Sequence, residues 1–388
     1  MAKSLSSLWL TTVRRIGKAQ QAQGRRLLQS LVPKPARKPA ARRAKPVQPA
    51  KVAKAKPLAT VRQSAVGSAS AVPGLPGSWQ KCWFSIPAAG QVASARRMLY
   101  WLYLPSSAGT APRPVPLVVM LHGCQQMATD FAQSTRMNAL AERKGFAVLY
   151  PQQSAAADAH RCWHWYKRST QEGLGDVRLI AQMIAHVQGK HGLDTSRTYA
   201  AGLSAGAALA NILALRYPAM VAAVGLHSAP VFGTTDSPMS AFRAMQHGSG
   251  TAHRESVQAF GTAAPAFPGM PAILIHGARD SVVRRINMTQ LTEQFTILNA
   301  ALITREQPAV RTYPARSTGR HPRHAYESAT WYAGRKPQLV ACEIGHLGHA
   351  WSGGDGRVEF SAPEGPDATL MMWTFFAQHR RLPVPGKT

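Results

Sequence analysis

Hydrophobic positions change their spacing along this chain, and the change divides it. Over residues 1–32 the apolar side chains Leu5, Leu8, Trp9, Val13, Ile16, Leu27, Leu28 and Leu31 recur among Arg, Lys and Gln at broadly helical intervals, interrupted by Gly17 and Gly24. Residues 33–77 lose that pattern. They are Pro, Ala, Lys and Arg with late Gly and Ser and no aromatic residue, too little apolar surface to fold, and the expectation is a disordered linker. From residue 78 to 388, short apolar runs alternate with amphipathic stretches. Residues 98–104 (MLYWLYL), 116–121 (PLVVML), 146–150 (FAVLY), 198–203, 221–226, 272–275 and 339–343 read as strands. Residues 137–144, 177–186 (with Asp176 as a cap), 205–217 and 369–379 read as helices. Alternation of this kind predicts an α/β domain whose central sheet is mostly parallel and flanked by helices.

Charge sharpens the division. The chain carries 46 Lys and Arg against 17 Asp and Glu, a formal +29. Residues 1–62 hold 16 of the basic residues and no acidic one, and the first acid anywhere is Asp130. Such a tail suits contact with an anionic surface, a membrane or a polymer granule, or remains solvated; no sequence-specific nucleic-acid recognition is expected. No apolar run approaches the roughly 20 residues that span a bilayer. Leu8, Trp9 and Leu10 make too short an apolar core for a secretory signal before Arg14 and Arg15. The four cysteines, Cys82, Cys124, Cys162 and Cys342, have no zinc-ligand spacing, so no metal is expected. Two readings of them stand open: buried thiols, or a Cys124–Cys162 disulfide in an oxidising compartment.

Candidate chemistry starts at Gly202-Leu203-Ser204-Ala205-Gly206, a G-x-S-x-G pentapeptide between an apolar strand and a helix. That context is what a nucleophile elbow needs: a sharp turn exposes the serine and aims a helix N-terminus at the reacting centre. A serine hydroxyl needs a base, and the partners in such a fold follow in the order acid, then histidine. Asp280, in the loop after the strand AILI, is the candidate acid ahead of Glu343, Asp355 and Asp367. His349, between Gly348 and Ala350, is the candidate base, while His346 is expected to pack or hydrogen-bond. The backbone N–H groups of Ala205 and of Cys124, beside Gly123, are the candidate oxyanion donors. Trp163, Trp165 and Tyr166, with the segment 231–270, are candidates for a substrate-facing wall. The alternative is that the two tryptophans pack beneath the oxyanion loop.

LHGCQQ, CWHW at 162–165, GLSAGAALA, HGARDSVV and GHAWSGG, in that order, resemble the poly(3-hydroxybutyrate) depolymerase family of esterases, which is related to feruloyl and acetylxylan esterases. The resemblance covers about residues 96–380. It implies an α/β-hydrolase fold, a catalytic triad of Ser204, Asp280 and His349, hydrolysis of carboxylic esters through an acyl-enzyme, and no cofactor. It implies an ester substrate, polyester or oligomer of the polyhydroxybutyrate type or a small ester. It also supports the Cys124–Cys162 bridge. Extracellular placement follows from the resemblance, although this N-terminus equally suits a cytoplasmic granule protein. Two departures stand out: Ala207 replaces a glycine common after the elbow, and the few residues read after the last helix are not expected to form an additional substrate-binding module.

Overall fold

The computed structural model describes residues 75–86, 96–318 and 322–381. The segment 1–32 and all but the end of the linker 33–77 lie outside the described residues.

Ten strands make one mixed sheet. They are β1 (Ser78–Ile86), β2 (Arg96–Leu104), β3 (Leu117–Leu121), β4 (Ala147–Gln152), β5 (Thr198–Leu203), β6 (Ala223–His227), β7 (Ala272–Gly277), β8 (Ala309–Tyr313), β9 (Tyr326–Ala333) and β10 (Lys336–Ile344). Their spatial order is β1-β2-β4-β3-β5-β6-β7-β10-β9-β8. The six from β4 to β10 in that order run parallel. Antiparallel pairs extend the sheet at both sides, β2 and β1 at one, β9 and β8 at the other. Strands covered on both faces read as continuous apolar runs, and β3, β5, β6 and β7 are buried at every position. β8, at the far margin, is exposed at its first four positions.

Helices α1 (Ala128–Thr135), α2 (Met137–Lys144), α3 (Arg168–Gln171), α4 (Gly175–His191), α5 (Ala205–Arg216), α6 (Pro238–His247), α7 (Ala252–Ala263), α8 (Ile286–Leu298) and α9 (Ala368–Phe376) flank the sheet. α5 is buried from Ala205 through Leu215. Its alanines let the backbone approach the strands closely, while Leu209, Ile212 and Leu213 each contribute about 1.5–3 kcal/mol of burial. α9 begins where the Asp367 carboxylate accepts the Leu370 N–H at 3.0 Å. Its Phe376 ring stacks on Tyr199 of β5 at 4.9 Å, and Met372 and Phe376 fill the space above Gly225 of β6.

The strands and helices read from apolar spacing are present, with ends moved by a few residues. β1, β8 and β9 were not expected. Asp176 does not cap α4: Leu174 stands at the N-cap, and the Asp176 carboxylate in the first turn receives Arg96 at 2.8 Å and Gln153 at 3.0 Å.

Candidate active site

Register brings the candidate residues to one edge of the sheet. Leu121 lies opposite Gly202, Leu203 opposite His227, His227 opposite Ile275, and Gly277 opposite Ile344. The loops leaving the carboxyl ends of β3, β5, β7 and β10 therefore emerge side by side, carrying Cys124, Ser204, Asp280 and His349.

Ser204 sits at φ 57°, ψ −122°, a backbone geometry that costs a non-glycine residue on the order of 1–3 kcal/mol. Two glycines make the turn feasible. A Cβ on Gly206 would lie 2.0 Å from the Leu121 carbonyl oxygen and 2.4 Å from that of His122; one on Gly202 would lie 2.5 Å from the Gly206 carbonyl carbon. The Ser204 N–H donates to the His227 carbonyl at 3.0 Å, tying the strained residue to β6.

Acid and base are joined directly. His349 Nδ1 donates to Asp280 Oδ2 at 2.8 Å, which leaves Nε2 as the acceptor nitrogen. Asp280 Oδ1 accepts the Val282 and Val283 amides, both at 2.9 Å. Burial alone would raise this carboxyl, but His349, His276 and the Val283 amide outweigh it and hold it below the usual carboxylate range. The two loops are also stitched by backbone: Ala278 N–H to Ile344 and Arg279 N–H to Leu347, at 2.8 and 2.9 Å. Among the described residues no hydrogen bond joins Ser204 to His349. Of the competing acids, Glu343 pairs with Arg285, Asp355 with Arg357, and Asp367 caps α9. His346, expected to pack or hydrogen-bond, is exposed at φ 62° with its ring 6.1 Å from that of His324.

The loop after β3 has one free donor at the right place. Gly123 N–H donates to Gln126 Oε1 at 2.8 Å and Gln125 N–H to the His160 carbonyl at 2.6 Å. The Cys124 N–H between them has no partner among the described residues, nor does the Ala205 N–H at the start of α5. A Cβ on Gly123 would stand 3.7 Å from the Ser204 Cβ, so this loop lies against the nucleophile turn. Cys124 is bonded to Cys162, and Trp163 donates its indole N–H to the His122 carbonyl at 2.9 Å.

That bond bears on the two readings of Trp163. Trp163 is fully buried with its indole held against the loop, the arrangement of the second reading, in which the tryptophans pack against the oxyanion loop. Trp165 is buried as well; it shares with Val231 and Phe232 a cavity of about 10 Å³, room for about one water rather than an acyl group. Tyr166 is the half-buried member of the three, edge-on to Trp165.

Two histidines given no role in the sequence hold the site. His122, fully buried, donates from Nδ1 to the Gly123 carbonyl and accepts the Gln153 N–H at Nε2; burial holds it down at about 4, hence neutral. His227, also fully buried and held at about 3 chiefly by burial, accepts the Ser352 N–H at 3.3 Å and stacks on Trp351. It links the base loop to the strand that receives the Ser204 N–H. Each is a polar residue at the carboxyl end of an apolar strand or just past it, and that position was the available signal. Among the described residues no group of three or more His, Cys, Asp or Glu is placed to hold a metal ion, and no helix is long and apolar enough to cross a membrane.

The family described as Esterase PHB depolymerase matches residues 98–316, more than half of the chain. The chain belongs to that family. It is 33% identical over 192 residues to poly(3-hydroxyalkanoate) depolymerase C of Paucimonas lemoignei, covering 48% of this chain and 45% of that one. With feruloyl esterase B of Thermothelomyces thermophilus it shares 32% over 143 residues, 36% and 47% of the two chains. A probable acetylxylan esterase A of Aspergillus clavatus matches at 27% over 258 residues, 63% and 78%. The chain thus spans about half the length of the first two relatives. Among solved structures, the acetyl xylan esterase from Aspergillus awamori superposes with a TM-score of 0.54 at 21% identity over 69% of this chain and 94% of that one, a likeness of fold. The fold is the α/β-hydrolase fold.

Proposed function

We propose that the chain is a serine esterase that hydrolyses carboxylic esters through an acyl-enzyme. The observation that carries this reading is the strained Ser204, set beside the unpartnered Cys124 and Ala205 amides and on the same sheet edge as the 2.8 Å Asp280–His349 bond. His349 Nε2 takes the hydroxyl proton as Ser204 Oγ attacks the ester carbonyl carbon; the carbonyl electron pair moves onto oxygen, where the two amides receive it. Collapse expels the alcohol, protonated by His349. Water, deprotonated by the same nitrogen, then frees the acid and restores the serine. Asp280 holds the imidazole tautomer and stabilises the imidazolium. Nucleophile–base contacts are often long before substrate arrives and tighten in the complex, which accommodates the absence of a Ser204–His349 hydrogen bond.

Membership in the family, together with the similarity to the Paucimonas lemoignei depolymerase, supports 3-hydroxyalkanoate polymer or oligomers as substrate. The longer match to an acetylxylan esterase favours a second reading, esters of plant cell-wall polysaccharide. Acid released from polyester particles, against acetate released from acetylated xylan, separates them. A reading of another class, binding to granules, membranes or nucleic acid led by residues 1–62, rests on charge alone; deleting that segment would abolish binding and spare hydrolysis of a soluble ester. The Cys124–Cys162 disulfide supports an oxidising, extracellular location.

Hydrolysis of p-nitrophenyl butyrate by wild type and by Ser204→Ala tests the central claim. A loss of roughly 10⁵–10⁶ in kcat with the fold intact is expected; equal activity overturns the assignment.

A further inference from the structure

A large cavity among the described residues lies away from the candidate triad. It is a groove of about 1180 Å³ between one face of β8, β9 and β10 and the helices α2 and α9, and none of Ser204, Asp280, His349 or Cys124 lines it. Alternation along β9 turns Tyr326, Ser328, Thr330 and Tyr332 toward it, and β8 adds Arg311 and Tyr313. The hydroxyls of these five Tyr, Ser and Thr residues have no hydrogen-bond partner among the described residues. Leu140, Val340 and Phe375 line its apolar part.

Charge in the groove is one-sided. Its lining holds five arginines and one acid, Asp367, whose carboxylate is occupied at the start of α9. Arg136, Arg143 and Arg311 are exposed and have no carboxylate partner among the described residues. Arg323 lies over the rings of Tyr313 and Tyr326, at 6.0 and 5.8 Å, and those rings stack on each other at 4.3 Å. That stack presents a preformed cationic and aromatic shelf beside the hydroxyls. Unpaired guanidinium groups select an anion that accepts several hydrogen bonds, and the row of hydroxyl donors selects further acceptor oxygens along a chain. The basic segment 1–62, with 16 Lys and Arg and no acid, carries the wrong sign to fill it.

We propose that this groove is a second, non-catalytic binding site for a carboxylate-bearing, oxygen-rich oligomer. Two sources share that chemistry: the acid-terminated fragment that ester cleavage of a polyester leaves, and an acidic polysaccharide. Only the first source rests on the esterase reading, and a binding measurement needs no turnover.

Isothermal titration calorimetry on the full chain carrying Ser204→Ala provides the test, with a short 3-hydroxybutyrate oligomer acid and an oligogalacturonate as probes. Saturable binding of either probe, weakened about tenfold or more by Arg143→Ala and by Arg311→Ala, supports the site, and the probe that binds names the source. The same arginine substitutions, placed in the active chain, should leave p-nitrophenyl butyrate hydrolysis within about twofold of wild type. Ser328→Ala, a small change that leaves the fold alone, should weaken binding about threefold. The proposal fails if neither probe binds at millimolar concentration, if the arginine variants bind as tightly as the parent, or if hydrolysis falls in step with binding. It also fails if an oligonucleotide of equal charge binds as tightly, which would make the ligand a phosphate polymer.

Discussion

The carboxyl edge of the parallel strands and the β8–β9 margin are built in opposite ways. At the edge, backbone meets backbone with no spare room: Gly206 lies where a Cβ would come within 2.0 Å of the Leu121 carbonyl, and buried histidines satisfy the loops. At the margin, β8 is exposed at four positions in a row, and the hydroxyls of β9 face an open groove. One region is specified by exclusion, since few residues fit, and the other by the ligands its side chains leave room for. Substitutions should therefore be punished at the edge and tolerated at the margin.

The sharpest break in that symmetry is electronic. Asp280→Asn keeps the shape of the edge but presents an amide to His349 Nδ1, destroying the tautomer preference; kcat on p-nitrophenyl butyrate should fall by about 10⁴ with little change in KM. A fall of less than tenfold would mean that another acid orients the base. Next comes steric exclusion. Gly206→Ala should cost at least about 3 kcal/mol, because two backbone carbonyls would have to move. Gly334→Ala, in the turn after β9, should cost only about 1–2 kcal/mol: nothing stands within 4 Å of its new Cβ, and the strain comes from φ 61° alone. Urea midpoints for the two variants measure the contrast, and equal losses would erase it.

The smallest effect concerns protons. His122 and His227 are held near 4 and 3 in the folded protein against 6.5 for a free imidazole. Their unfolded forms take up protons first, so stability present above about pH 6.5 drains away as the pH falls toward 4 and then 3. At pH 5 each contributes a loss of up to about 2 kcal/mol. Urea unfolding at pH 7 and pH 5 should show it, with hydrogen exchange rising at the carboxyl edge before the β8–β9 hairpin. An unchanged midpoint would mean that these rings already carry charge in the fold.

Much of the edge was legible in sequence because its parts are local. GLSAG, HGARD and GHAW each place one candidate residue within a few positions after an apolar strand, and strands buried on both faces advertise themselves by continuous apolar residues. The margin was not legible for the same reason: β8 is exposed at its first four positions and β9 is only partly buried on either face, so no hydrophobic period marks them. Helices α6, α7 and α8 were not separated by spacing either. The orientation of Trp163 was beyond sequence, because an aromatic ring beside a loop reads the same above it or below. Only the bond from its indole to the His122 carbonyl decides. Asp176 misled in another way, since a carboxylate at a helix start is ordinarily a cap, and here Arg96, 80 residues away, claims it.

The insertion of β10 between β7 and β9 has a consequence in time. Asp280 and its partner His349 are separated by 69 positions, and the histidine follows the last strand to join the sheet in chain order. As the chain leaves the ribosome, Ser204 and Asp280 emerge well before His349, and long-range parallel pairing is slow to form. On the proposed mechanism, a nascent chain stays inert toward esters until its carboxyl-terminal third has docked. Activity in a translation mixture becomes a clock for the completion of folding.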